Sequence, residues 1–149
     1  MKILIVDDVN TNAAYLSALI SSYYEEIKND NVKVDIASNG YEAIGMEVMY
    51  HYDLIFLDVM MPKFDGLEAL KAIRTTIIAK HQPYICVLTG LSDKEKIDKC
   101  KQFGANAFVT KPYSPDAIIT ILKNLEDKKL QVEKAFDEEE TQLDLSGLV

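Results

Sequence analysis

The sequence predicts an α/β protein: an open parallel sheet with helices wound onto both faces. Three observations predict it. Five short apolar runs alternate strictly with five amphipathic segments, the pattern of β-α units joined by right-handed crossovers. Only the second run alternates apolar with charged residues, which puts it at a sheet edge. The first, third and fifth runs end directly on acids or an amine, Asp7 and Asp8, Asp58, and Lys111. With the second strand outermost, the natural order is 2-1-3-4-5, and its topological switch point falls between strands one and three.

Strand one is Lys2 to Val6. Helix one runs from about Thr11 to Ile27, with Leu16, Leu19, Ile20, Tyr23 and Ile27 on one face. Strand two, Val32 to Ala37, intersperses Lys33 and Asp35 among Val32, Val34 and Ile36, so one of its faces meets water. Helix two follows Asn39-Gly40 and ends near Tyr50. Strand three is Leu54 to Leu57. Helix three starts after Asp65-Gly66, with Leu67, Leu70, Ile73 and Ile77 inward. Strand four is Tyr84 to Leu88, preceded by Pro83. Helix four opens on a capping box of Ser92 and Glu95 and stops at Gly104. Its apolar stripe is thin: Ile97, Cys100 and Phe103. Strand five is Ala107 to Thr110. Helix five opens with Ser114 as cap and Pro115 at the first helical position.

The 149 residues divide into a domain over 1–126 and an acidic C-terminal stretch over 127–149. That stretch holds seven acids (Asp127, Glu133, Asp137, Glu138, Glu139, Glu140, Asp144) against Lys128, Lys129 and Lys134. It reads as a solvated tail. The alternative is a continuation of helix five, because Ile118, Leu122, Leu125, Val132, Phe136 and Leu143 keep a heptad spacing broken at Lys129 and Glu139. Such an extension would serve dimerisation or docking. After helix five too few residues remain for a further domain of usual size.

The formal net charge of −8 argues against direct nucleic-acid binding, since phosphates would repel the chain. No apolar stretch reaches membrane-spanning length, and the apolar opening is too short for a signal peptide. Cys86 and Cys100 lack metal-like spacing and read as buried small hydrophobes. A cytoplasmic location is expected. His51 and His81 read as surface residues, with no carboxylate cluster nearby.

Ligands of open α/β sheets bind in the crevice beyond the strands' carboxyl ends. Asp7, Asp8 and Asp58 gathered there repel one another unless a cation joins them. Mg²⁺ suits carboxylate oxygens and phosphate. A carboxylate held in line with a phosphoryl group can take it as an acyl phosphate when metal and donors absorb the charge. Thr89 after strand four and Lys111 after strand five stand where such donors belong. Singly, each has a bland explanation as a cap, a turn or a solvated side chain. Five of them converging on one switch point do not.

The motifs Ile-Val-Asp-Asp at 5–8, Leu-Asp-Val-Met-Met-Pro at 57–62, Asp65-Gly66, Leu-Thr-Gly at 88–90 and Thr-Lys-Pro at 110–112 resemble the receiver domain of two-component response regulators, the CheY-like family, over about residues 1–126. The resemblance implies a flavodoxin-like (βα)5 fold. It implies Asp58 as phosphoacceptor from a phosphohistidine on a histidine kinase or histidine phosphotransfer protein. Mg²⁺ or Mn²⁺ would be held by Asp7, Asp8, Asp58 and the backbone carbonyl of Met60. Thr89 would close on the phosphoryl group, Lys111 would pair with one of its oxygens, and Phe108 would be the switch aromatic, although alone it reads as a plain core residue. The Lys111-Pro112 bond is expected to be cis. A downstream protein target would read the face of helix four, strand five and helix five.

The family often carries polar residues two after the phosphoacceptor and two after the threonine. Here those places hold Met60 and Leu91, so slow loss of the phosphoryl group is expected. Asn12, five after Asp7, resembles receivers of hybrid kinases and relay proteins. The alternative to a stand-alone receiver is a fragment of a longer regulator or hybrid kinase. An aspartate-nucleophile phosphatase needs a second carboxylate two residues after its nucleophile, and Met60 occupies that place. No nucleotide-binding glycine motif occurs.

Overall fold

The computed structural model describes residues 1–61, 66–76, 81–90 and 94–127. Its strands are β1 (Lys2–Val6), β2 (Lys33–Ala37), β3 (Leu54–Asp58), β4 (Tyr84–Thr89) and β5 (Ala107–Thr110). Its helices are α1 (Asn10–Glu26), α2 (Gly40–Tyr50), α3 (Gly66–Thr76), α4 (Lys94–Gln102) and α5 (residues 115–127). The sheet is parallel in the order β2-β1-β3-β4-β5, the flavodoxin-like arrangement.

The central strands are apolar on both faces because both faces are covered. Ile3, Ile5, Leu54, Phe56, Cys86 and Leu88 pack under α1 and α5, meeting Leu16, Ile20, Ile118 and Leu122. Leu4, Val6, Ile55, Leu57, Ile85 and Val87 pack under α2, α3 and α4, meeting Ala43, Leu70, Ile73 and Cys100. Alternate residues of one strand thus serve two separate cores, as the two-residue period requires. Both cysteines are buried and free.

The edge strand departs from the expected pattern. Lys33 is exposed as expected, but Asp35 is half-buried and accepts a 2.6 Å hydrogen bond from the Tyr52 hydroxyl, and the apolar Ile36 is exposed. Of the two charged residues of β2, only Lys33 is exposed. Helix α1 buries Leu16, Ile20 and Tyr23 but leaves Ile27 exposed, because it ends at Glu26, one residue short. β3 and β4 each run one residue further than expected, so Asp58 and Thr89 belong to the strands themselves.

The Ser114 hydroxyl caps α5 by accepting from the Ala117 N–H at 3.3 Å. Ser92 of the expected α4 capping box, Ile77 of the α3 stripe, Leu91, Pro62, Asp65 and the stretch from 128 lie outside the described residues. The two histidines are not isolated on the surface. Their rings meet edge to face at 5.6 Å, near the buried Glu47. No described helix is long and apolar enough to cross a membrane.

Candidate functional site

The three expected aspartates converge. Asp7 and Asp58 are buried and Asp8 is exposed, and one carboxylate oxygen from each lies within 4.8 Å of the others. β1 and β3 are adjacent, with Val6 opposite Leu57 in register, so the residues that follow arrive side by side at the switch point. Each buried carboxylate is fixed by a local backbone donor. The Val9 N–H donates to Asp7 Oδ1 at 2.9 Å and the Met60 N–H to Asp58 Oδ1 at 2.8 Å. These two turns aim the remaining oxygens into the crevice.

Lys111 arrives from the far side. Its Nζ lies 3.3 Å from Asp7 Oδ2 and 3.2 Å from Asp58 Oδ2. Burial works against the ammonium, but the neighbouring Asp58 and Asp7 charges outweigh it and hold the amine above its ordinary range. Among the described residues no other cation lies within salt-bridge distance of Asp7 or Asp58. Three carboxylates against one ammonium leave an acidic excess, two of them buried. Oxygen donors in that excess suit a hard divalent cation.

Thr89 is buried at the end of β4, opposite Thr110 of β5. The Lys111 N–H donates to the Thr89 carbonyl at 2.6 Å, which ties the hydroxyl-bearing and amine-bearing strand ends together. The Lys111-Pro112 bond is cis. Phe108 is 42% exposed, with Lys101 Nζ 5.4 Å from its ring centre, so its ring faces outward rather than into the core. Met60 is exposed beside the site, and Lys96 Nζ lies 3.2 Å from its sulfur.

Two contributors escaped the sequence reading. Gly66 entered as a helix start and a motif residue with no role at the site, yet a Cβ there would stand 2.1 Å from the Asp58 carbonyl oxygen and 2.7 Å from Val59 Cα. Glycine is required for α3 to begin against the strand that carries Asp58; the Asp65-Gly66 pair was the available signal. Tyr15 and Tyr113 stack at 6.4 Å and, with Asn12, Gly90, Lys111 and Pro112, line a cleft of about 510 Å³ next to the ammonium. They are far apart in sequence, and nothing local signals their meeting.

The fold and this acidic crevice, with a lysine opposite, define a phosphoryl-handling signalling domain. The response regulator receiver domain family model matches residues 3–123. ResD of Bacillus subtilis, a transcriptional regulatory protein, is 35% identical over 124 residues, covering 83% of this chain and 47% of its own. The chemotaxis protein CheY of Halobacterium salinarum is 29% identical over 125 residues, covering 83% of this chain and 95% of its own. The structure of Vibrio cholerae CheY4 superposes with a TM-score of 0.71 at 28% identity, over 83% of this chain and 97% of that one. The chain belongs to the response regulator receiver family, and it spans about half the length of ResD and nearly all of CheY.

Proposed function

We propose that residues 1–126 work as a phosphoacceptor switch in which Asp58 receives a phosphoryl group from a phosphohistidine. The donor would be a histidine kinase or a histidine phosphotransfer protein. The observation that carries this reading is Lys111 Nζ at 3.3 and 3.2 Å from Asp7 and Asp58, with Asp8 completing the carboxylate group.

In the transfer, an Asp58 carboxylate oxygen forms a bond to phosphorus as the phosphorus–nitrogen bond to the donor imidazole breaks. The electron pair returns to that nitrogen. Asp7, Asp8, Asp58 and the Met60 carbonyl would hold Mg²⁺ (or Mn²⁺), which when bound would neutralise charge on the phosphoryl oxygens. Lys111, already poised between Asp7 and Asp58, transfers its contacts to a phosphoryl oxygen. The cleft bordered by Tyr15, Tyr113 and Lys111 admits the donor side chain. Hydrolysis then needs a water in line with the acyl phosphate, and the thioether of Met60 is too weak an acceptor to orient one.

The phosphoryl group brings about −1.5 to −2 charges to the sheet edge. Thr89 moves toward it. Phe108 turns from its outward position into the space left, and the face built from α4, β5 and α5 changes shape for a downstream protein. This is a shift between two packings of one fold. The part from 127 to 149 serves as a tail outside this switch.

Acetyl phosphate and beryllofluoride test the reading. Labelling or binding at residue 58 should require Mg²⁺ and vanish in Asp58→Ala. A protein that stays unlabelled with Mg²⁺ in excess would overturn it, and turnover of a generic phosphomonoester would favour a phosphatase instead.

A further inference from the structure

Helix α4 is a basic element on an acidic protein. It carries Lys94, Lys96, Lys99 and Lys101 against Glu95 and Asp98, while the whole chain stands at −8. Lys94, Ile97 and Lys101 are spaced i, i+3 and i+7, so they share one flank of the helix. On that flank α4 and β5 enclose a cavity of about 290 Å³, lined by Ile97, Lys101, Asn106, Ala107 and the exposed ring of Phe108 among others. An apolar hollow thus lies beside two lysines.

We propose that the acidic stretch 128–149 of the same chain docks here, with Phe136 in the cavity beside Phe108 and the acids after it against Lys94 and Lys101. The sequence of the stretch complements the surface. Phe136 is followed directly by Asp137, Glu138, Glu139 and Glu140, and no lysine or arginine occurs from 135 to 149. An aromatic anchor followed by a run of acids matches an apolar hollow flanked by ammonium groups.

The stretch also starts close by. Leu125, near the end of α5, lines a cleft with Gly104 and Asn106, and Asn106 lines the α4–β5 cavity as well. The nine residues 128–136 span up to about 30 Å when extended, whereas α4, with 9 residues, is only about 14 Å long. The α4 face of a second copy is a poorer occupant, because it would set the same lysines against each other. Exposed ion pairs are individually weak and screened by salt, so the contact should loosen at high ionic strength. The docked stretch would cover the face of α4, β5 and α5 on which a downstream protein acts. That consequence rests on the phosphoacceptor reading, whereas the contact itself does not.

A nitroxide spin label on Thr141→Cys in the full chain is the direct test, since Cys86 and Cys100 are buried and give no background. Amide signals of α4 and β5 should lose most of their intensity, while those of α2 keep theirs. The loss should be relieved by high salt, by Phe136→Asp and by the double variant Lys94→Glu/Lys101→Glu. Adding Glu138→Lys, Glu139→Lys and Glu140→Lys to that double variant should restore it. Asp58→Asn should behave like the parent, so failure of the docking and failure of the phosphoacceptor reading are told apart. Three results would each overturn the proposal. The first is α4 signals no weaker than those of α2. The second is a loss that survives the charge reversal on α4. The third is a loss seen only between chains, in a mixture of spin-labelled protein with isotope-enriched unlabelled protein, which would make a second copy the occupant.

Discussion

Replacing Lys111 with methionine should destabilise the domain and at the same time strengthen its response to Mg²⁺. At 3.2 and 3.3 Å, and at an effective dielectric of about 20, each Lys111–carboxylate attraction is about 5 kcal/mol before desolvation. Burial of the ammonium opposes this, and its side chain keeps 25% exposure, so the net loss is smaller. Removing one partner of a buried ion pair and leaving charge uncompensated costs about 3 kcal/mol. For a domain of this size that lowers Tm by about 10 °C. The same ammonium competes with a divalent cation for Asp7 and Asp58. Without it three carboxylates remain, and a bound cation stabilises by mass action. Thermal melts in EDTA and in about 10 mM MgCl2 separate the two effects. Lys111→Met should melt well below the parent in EDTA, and Mg²⁺ should raise its Tm by more than it raises the parent's. An equal or smaller Mg²⁺ shift in the variant, or an unchanged melt in EDTA, would refute the electrostatic account of the site.

Glu47→Gln should stabilise the protein at neutral pH by about 1–2 kcal/mol, because a buried carboxylate oxygen without a hydrogen-bond partner is replaced by an uncharged amide. Burial raises the Glu47 carboxyl above its usual value, against weaker opposing effects of the Tyr52 N–H, His81, His51 and Arg74. The protonated form therefore favours folding below the unfolded carboxyl's pKa of about 4.3. That advantage is lost as pH rises through the folded value, so the gain in Glu47→Gln should vanish in melts at low pH. Gly66→Ala should cost about 3 kcal/mol and reduce acetyl phosphate labelling, since the new Cβ strikes the Asp58 carbonyl oxygen at 2.1 Å; normal melting and labelling would show that α3 can retreat. Met60→Glu should shorten the lifetime of the acyl phosphate by supplying a group that orients water, read as phosphate release after removal of the donor. A parent protein that already loses its phosphoryl group within seconds would defeat that expectation.

The sheet order and the crevice were legible because both follow from strand ends. An apolar run ending in Asp7, Asp58 or Lys111 fixes where the side chain emerges once the strand order is known. What stayed hidden depends on contacts across elements. Asp35 looked solvent-facing by alternation, but Tyr52 reaches it from the β3 side. Nothing in the sequence marks Glu47 as buried; the placement of α2 against the sheet buries it, with one oxygen bound by the Tyr52 N–H at 2.8 Å. Phe108 lies on a strand whose pattern suits a core residue, and its ring lies outward beside Lys101, a contact between β5 and α4 that the pattern of one strand does not encode.

The proposed acceptor and the residues that would respond to it stand on different strands. β3, with Asp58 at its end, is hydrogen-bonded to a neighbour on each side, whereas β5 is outermost and bonded only to β4. In the proposed switch the charge would be deposited on an interior strand, and Thr89, at the end of the next strand β4, is joined by the Lys111 N–H to Thr89 carbonyl bond to the residue that follows the outermost strand. A pull from the phosphoryl group would pass through that bond to the border of the sheet, where Phe108 stands facing out.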